Sequence, residues 1–247
     1  MLDYSPKKDL LTDKVILVTG AGDGIGRQAA LTYAAHGATV ILLGRSVNKL
    51  EAVYDEIEAL GAPQAAIIPL DMQGATEQNY IDMADTIEGQ FGRLDGVLHN
   101  AGMLGSLTPL EQVSTEMFNE VMQVNLTAQF VMTKALMRLF RQQNAGSIIF
   151  TSSGVGRKGR AFWGPYAISK FATEGMMQVW ADELDDTQIR VNCINPGATR
   201  TKMRALAYPA ENPETLKTPQ ELMPLYLYLM GDDSLEVNGQ SIDAQPK

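Results

Sequence analysis

The stretch Val15-Ile16-Leu17-Val18-Thr19-Gly20-Ala21-Gly22-Asp23-Gly24-Ile25-Gly26 joins an apolar run rich in β-branched residues to a glycine-rich turn. The run reads as a buried strand, and the apolar residues that follow (Ala29, Ala30, Tyr33, Ala34) recur at helical spacing. Strand, glycine turn and helix in that order suit a dinucleotide. Backbone can approach a pyrophosphate only where no Cβ atom intervenes, and the positive end of a helix favours the anion. The glycines at 20, 24 and 26 follow T-G-x-x-x-G-x-G rather than G-x-G-x-x-G. A glycine-rich turn alone is weak support, so the remaining chain must decide.

Outward from this stretch the pattern alternates. Strand-like runs fall at 14–19, 38–43, 65–70, 94–98, 146–151, 188–194 and 239–243, and helical stretches near 24–36, 46–60, 76–91, 111–143, 165–185 and 218–230. Strands separated by helices need crossover connections, which predicts an α/β fold with a doubly wound parallel sheet of about seven strands and helices on both faces. No linker, repeat or low-complexity segment interrupts residues 1–247, so one domain is expected. Ligands of such sheets bind beyond the carboxyl ends of the strands. Thr19, Asp71, Asn100 and Ser153 all fall at or just after predicted strand ends.

Ser153 is followed by Gly164-Pro165-Tyr166-Ala167-Ile168-Ser169-Lys170. If Tyr166 opens a helix, the i, i+4 relation puts its phenol and the Lys170 ammonium on one face. A phenol with a reference pKa near ~10 is a poor acid or base at neutral pH unless a cation stabilises its phenolate, and Lys170 is placed to do so. Ser153 can orient an oxygen beside it. A Tyr-x-x-x-Lys pair alone would read as an ordinary helix surface; joined to the glycine turn, it does not.

With these motifs in hand the chain resembles the short-chain dehydrogenase/reductase family, in its compact single-domain branch. The resemblance runs from about Asp13 to Asp243 and rests on Thr19-Gly20, Gly24-Ile25-Gly26, Asp71, Asn100-Ala101-Gly102, Asn125, Ser153, Tyr166 with Lys170, and Asn195-Pro196-Gly197 with Thr201. It implies a Rossmann-type fold and a hydride transfer between a nicotinamide and a carbonyl or alcohol carbon. Tyr166 would be the general acid/base, Ser153 would hold the substrate oxygen, and Asn125 would hold a water in a proton relay. Lys170 would bind the nicotinamide ribose while lowering the tyrosine pKa. Cofactor contacts are implied along the glycine turn (Thr19, Gly20, Gly22, Asp23, Gly24, Ile25, Gly26), at Arg45 and Ser46, at Asp71 and Met72, and at Asn100, Ala101 and Gly102. They continue through Tyr166 and Lys170 to Pro196, Gly197, Thr199 and Thr201. His99 departs from the family, where many members carry a second Asn. The segments Met176–Val179 and Met223–Asp233 resemble a bacterial subgroup, the YciK-like oxidoreductases. By the same resemblance, residues 198–217 cover the substrate, with Met103, Leu104, Phe162, Trp163, Met203, Leu206 and Tyr208 as an apolar lining.

Cofactor choice is legible directly. Dinucleotide enzymes that prefer NAD place a carboxylate near the end of the second strand to bind the ribose 2′-hydroxyl. Here the chain reads Leu42-Leu43-Gly44-Arg45-Ser46, with a guanidinium fork suited to a phosphate and no acid. NADP is expected over NAD, with Asp23 as a counterweight because its charge disfavours the phosphate.

Composition excludes other classes. Twenty basic against 29 acidic residues give a formal charge of −9, which disfavours nucleic acid and anionic membranes. No apolar run reaches the roughly 18 residues of a membrane helix, and Met1-Leu2-Asp3-Tyr4 begins no leader, so a cytoplasmic location is expected. With two histidines and the single Cys193 no metal site is expected, and Cys193 sits in an apolar run as packing. Arg157-Lys158-Gly159-Arg160 suits a solvated loop better than an anionic substrate. The helices around Tyr166 and before it carry more apolar residues than one core stripe needs, among them Ile168, Phe171, Val179, Leu184, Phe118, Val121, Phe130 and Leu136. The resemblance implies that they pair with their copies into a homodimer or homotetramer. The competing reading is an NADP-binding scaffold or redox sensor with incidental catalysis; the complete Ser153, Tyr166, Lys170 and Asn125 set argues against it.

Overall fold

Alternate residues of the first strand find separate apolar covers. In β1 (Val15–Thr19), Ile16 and Val18 pack into one core and Val15 and Leu17 into another, as the two-residue period of a strand requires. The computed structural model describes residues 4–246. The reading of Met1, Leu2 and Asp3 as beginning no leader lies outside them.

Six more strands join β1: β2 (Thr39–Gly44), β3 (Ala66–Pro69), β4 (Gly96–His99), β5 (Ala145–Thr151), β6 (Gln188–Asn195) and β7 (Ser241–Asp243). They form one sheet in the order β3-β2-β1-β4-β5-β6-β7, and every pairing is parallel. The order reverses between β1 and β4, which opens a crevice at their carboxyl ends.

The connections carry α1 (Gly24–Ala35), α2 (Val47–Ala59), α3 (Glu77–Phe91), α4 (Thr115–Met122), α5 (Ala128–Gln143), α6 (Gly164–Glu183), α7 (Lys202–Ala207) and α8 (Met223–Met230). One face of the sheet is covered by α1, α2 and α8 through Tyr33, Leu50, Val53 and Leu229. The other is covered by α3, α5 and α6 through Tyr80, Met132, Phe140 and Met177. Each such side chain contributes roughly 1.5–3 kcal/mol on burial. Arg190 of β6 is buried beneath α8 and donates to Leu229 O at 3.0 Å and Gly231 O at 3.1 Å, a cation on the negative end of that helix.

One expected element differs. The sequence predicts a continuous helix over 111–143, whereas the chain makes a 3-10 turn at Leu110–Gln112, starts α4 at Thr115, and passes through a π turn at Gln123–Thr127 before α5. The early part is stopped by Ser114, whose Oγ caps α4 by accepting from Met117 N at 3.2 Å. The π turn carries Asn125, which is pulled into bonds with another segment. Among the described residues no helix is long and apolar enough to cross a membrane.

Candidate active site

The strand ends are fastened to one another before any ligand is considered. Thr19 closes β1 with its hydroxyl buried: Oγ1 accepts from Asn100 N at 2.9 Å and Ala101 N at 3.0 Å, and donates to Leu98 O at 3.3 Å. The hydroxyl of Thr19 thereby fixes the mouth of the crevice between β1 and β4. Asn100 continues the clamp, receiving Thr151 Oγ1 at 3.4 Å. Gly26, at the start of α1, sits against this frame so closely that a Cβ would lie 2.3 Å from Gly20 O and 2.6 Å from Asn100 Nδ2. No other residue fits there.

Asp23 caps α1, accepting from Gly24 N at 2.9 Å through Oδ1. Its Oδ2 receives Lys49 Nζ and Lys202 Nζ, both at 2.9 Å. Lys202 first and Lys49 second hold the Asp23 carboxyl down at about 2. The acid expected to oppose a phosphate is thus surrounded by cations that sequence reasoning missed, because their pairing crosses the chain. Arg45 and Ser46 stand exposed after β2, and Arg45 makes no ion pair with any described residue. Asp71 is exposed after β3; its Oδ1 accepts from Gln73 N at 3.1 Å, which shapes the turn. The neighbouring Met72 buries its side chain in the core, so only its backbone can face a ligand.

The catalytic candidates gather on the far side of the same crevice. Tyr166 and Lys170 lie on the buried face of α6, with Lys170 Nζ 5.5 Å from the centre of the tyrosine ring. Lys170 Nζ donates to Thr151 O at 2.6 Å. Burial pushes the Tyr166 phenol up to about 12, and the neighbouring Ser153 hydroxyl offsets part of this. Burial pushes Lys170 down to about 8, with the nearby Cys193 and Glu174 acting the other way. Burial is the largest influence on the phenol, and the Lys170 ammonium is engaged by the Thr151 carbonyl.

Asn125 is buried, and its amide is fully occupied. Oδ1 accepts from Met103 N at 2.7 Å, while Nδ2 donates to Met103 O at 2.9 Å and Ser169 Oγ at 3.0 Å. Ser169 Oγ donates in turn to Tyr166 O at 2.8 Å. The main-chain carbonyl of Asn125, in the π turn, accepts from Thr173 Oγ1 at 3.4 Å. Gly102 adjoins this group: a Cβ there would lie 3.5 Å from Asn125 Oδ1 and 3.9 Å from Lys170 Nζ. One turn beyond Lys170 is Glu174, also buried, which accepts from Ser152 Oγ and from Ser241 Oγ at 2.7 Å, with Arg157 Nε at 3.6 Å. The signal for Glu174 was available as an acid at i+4 from Lys170 on an otherwise buried face.

The segment after β6 closes on itself through Thr199 and Lys217, with Arg200 N donating to Lys217 O at 2.8 Å. Pro196 and Gly197 start it, Gln245 Nε2 braces Pro196 O at 2.8 Å, and Thr199 is buried at its base. Thr201 Oγ1 caps α7 by accepting from Arg204 N at 3.2 Å. Leu104, Trp163 and Met203 pack with Val155, Tyr166 and Ala167. Tyr208 lies 5.8 Å from Trp163, ring centre to ring centre. Two other expected lining residues stand exposed. Phe162 is 57% exposed at a turn with φ +72°, and Leu206 is 73% exposed where nothing covers the last turn of α7. Among the described residues no group of three or more His, Cys, Asp or Glu gathers as a metal site would require.

The short chain dehydrogenase family model matches residues 14–212. The chain is 56% identical over 245 residues to the oxidoreductase YciK of Escherichia coli (strain K12), covering 99% of this chain and 97% of that protein. It superposes on a short chain dehydrogenase from Escherichia coli CFT073 complexed with NADPH at TM-score 0.95 and 56% identity, covering 98% of this chain and 100% of that one. A short chain dehydrogenase from Shigella flexneri 2a complexed with NADP matches at TM-score 0.95 and 55% identity, over 97% of this chain and 100% of that one. The fastened strand ends, the glycine turn and the buried tyrosine–lysine pair are thus those of a chain that belongs to the short-chain dehydrogenase/reductase family of oxidoreductases.

Proposed function

We propose that the chain is an NADP(H)-dependent reductase of an apolar ketone or aldehyde, or the corresponding alcohol dehydrogenase in reverse, with Tyr166 as general acid/base. The observation that carries this reading is the buried set of Tyr166, Lys170, Asn125 and Ser169 beside a glycine turn into which no Cβ fits at residue 26. These residues fit a nicotinamide dinucleotide: the turn offers bare backbone, and Arg45 offers an exposed cation at the 2′ position. Two relatives complexed with NADP or NADPH support the same choice. When bound, the nicotinamide supplies the hydride to the carbonyl carbon, or takes it back.

The protein's own groups manage the proton. A phenol raised to about 12 is protonated at neutral pH and suits donation to a carbonyl oxygen as it gains negative charge. Ser153, beside it, is the second donor to that oxygen. Lys170, at about 8, can return a proton to the phenolate and be resupplied through water on the Asn125 carbonyl. The reduction rate should then fall as pH rises past about 8, because the reservoir loses its proton. Leu104, Trp163, Met203 and Tyr208 form the apolar wall that the substrate would meet.

The test is a panel of ketones and aldehydes assayed for NADPH oxidation with wild type and Tyr166→Phe. The variant keeps its ring packing and should lose kcat by on the order of a hundredfold or more. Near-native turnover would remove Tyr166 from this role.

Self-association belongs to the same reading. Phe130 of α5 and Ile168, Phe171 and Val179 of α6 remain 38–57% exposed, an apolar outer stripe, whereas Val121, Leu136 and Leu184 lie in the core and leave it. The stripe is the surface for pairing with a second copy. Light scattering at micromolar concentration should give a dimer or tetramer, and Phe171→Glu should shift it toward monomer.

A further inference from the structure

The glycine turn carries a carboxylate where phosphate is to be held, and the structure gives that carboxylate two partners from separate segments. Lys49 comes from the first turn of α2 and Lys202 from the first residue of α7; both reach Asp23 Oδ2 at 2.9 Å. Oδ1 is occupied by Gly24 N, so the oxygen that caps the helix and the oxygen that pairs with the lysines are different atoms. Two lysines thus hold one acid in this corner of the crevice, and Arg45, exposed after β2, is unpaired among the described residues.

Lys49 is seated by packing as well as by charge. A Cβ on residue 22 would lie 2.9 Å from Lys49 Cβ, so α2 and the turn approach this closely only because Gly22 has none. The glycine therefore serves the lysine as well as the pyrophosphate. Lys49 follows Arg45 and Ser46 by one turn of chain, and Asp23 belongs to the turn that faces the pyrophosphate. In a doubly wound dinucleotide fold the adenosine ribose lies between those two elements, with its 2′ oxygen toward the end of β2. Lys49 Nζ spans the same gap.

We propose that Lys49, seated by Asp23 against Gly22, is a second selector for the 2′-phosphate and acts beside Arg45. The inference rests on the NADP reading above. A phosphate carrying about two negative charges attracts an ammonium roughly twice as strongly as one carboxylate at equal distance, so Lys49 can turn from Asp23 to the phosphate. Lys202 remains on Asp23 and keeps that acid from repelling the newcomer. A carboxylate that alone would favour NAD thereby becomes the holder of a phosphate ligand.

NADPH and NADH titrated separately into wild type, Arg45→Ala, Lys49→Met and Lys49→Arg, followed by nicotinamide fluorescence, test this. Lys49→Met should weaken NADPH binding about tenfold, with NADH changed less than about twofold. Lys49→Arg should restore most of the preference. The loss should shrink as salt rises, since these charges are solvated. A wild type without preference for NADPH would overturn the NADP reading and the inference together. A wild type that prefers NADPH, with the same preference in Lys49→Met, would overturn the inference alone.

Discussion

The two sides of the crevice use charge in opposite ways. At the glycine turn the side chains of Asp23, Lys49 and Lys202 are 43, 50 and 77% exposed, so water competes for every ion pair they make. Beneath Tyr166, Lys170 and Glu174 are 2 and 7% exposed and are held by named backbone and hydroxyl partners. Exposed pairs contribute little to stability and are easily exchanged for a ligand's charge. Buried groups are already oriented, and leaving one unpartnered is costly. The corner at the glycine turn is open to rearrangement by a ligand's charge, whereas the floor beneath Tyr166 stays put.

That contrast breaks first at Glu174. Glu174→Leu would leave Ser152 and Ser241 without their acceptor, remove a neighbour of Arg157, and strip the nearest acid from the buried Lys170. Removing one member of such a network costs roughly 3–5 kcal/mol, or a fall in Tm of about 6–20 °C for a chain of this size. Thermal unfolding followed by circular dichroism measures it. A fall of less than about 2 °C would mean that the buried side carries no more than the exposed one.

The features that were legible in the sequence are those with a local or periodic cause. The five inner strands β2, β1, β4, β5 and β6 were legible as apolar runs because an inner strand of a parallel sheet is buried on both faces, whereas the edge strands β3 and β7 are only half-buried. Tyr166 and Lys170 share a face because helix geometry fixes i, i+4. The π turn at Asn125 was not legible, since Gln123-Val124-Asn125-Leu126-Thr127 has ordinary helical periodicity and the distortion comes from Met103, far away in the chain. The meaning of Asp23 was misjudged for the same reason: one of its cations arrives from α7, after six of the seven strands. The burial of the tyrosine was not legible either, because it depends on the whole fold rather than on a neighbour at one helical turn.

His99 offers a middle-sized test of the buried side. Its ring is fully buried, stacks on Phe150 with centres 4.7 Å apart, and meets Thr133 Oγ1 at 2.9 Å through Nε2. Burial holds its pKa at about 3, well below the ordinary value of 6.5, so the folded protein keeps it neutral while the unfolded chain takes up a proton. Stability is therefore lost as pH falls through 6.5 toward 3, and by about pH 5 the loss from this residue should reach about 2 kcal/mol. Urea unfolding of wild type and His99→Asn at about pH 7 and pH 5 isolates it, because the packing change is common to both pH values. The variant should lose about 2 kcal/mol less than wild type between the two. Equal losses would show that His99 is protonated in the fold.

The smallest expected effect sharpens the comparison from the exposed side. Lys49→Met removes one of two partners of Asp23, but Lys202 remains at 2.9 Å and the carboxylate is open to water. The pair's net worth to folding should be under about 1 kcal/mol, and less at high salt. The same substitution should weaken NADPH binding about tenfold, since a phosphate offers a dianion where the folded protein offers one solvated acid. Function and stability would then separate at this residue, as they cannot at Glu174, where the charge is buried in the frame itself. Denaturant midpoints set beside the NADPH titration decide it. Methionine keeps the Cβ that packs against Gly22, so a loss of more than about 2 kcal/mol in Lys49→Met would mean that the ion pair itself holds α2 to the glycine turn, and that this corner is as rigid as the floor beneath Tyr166.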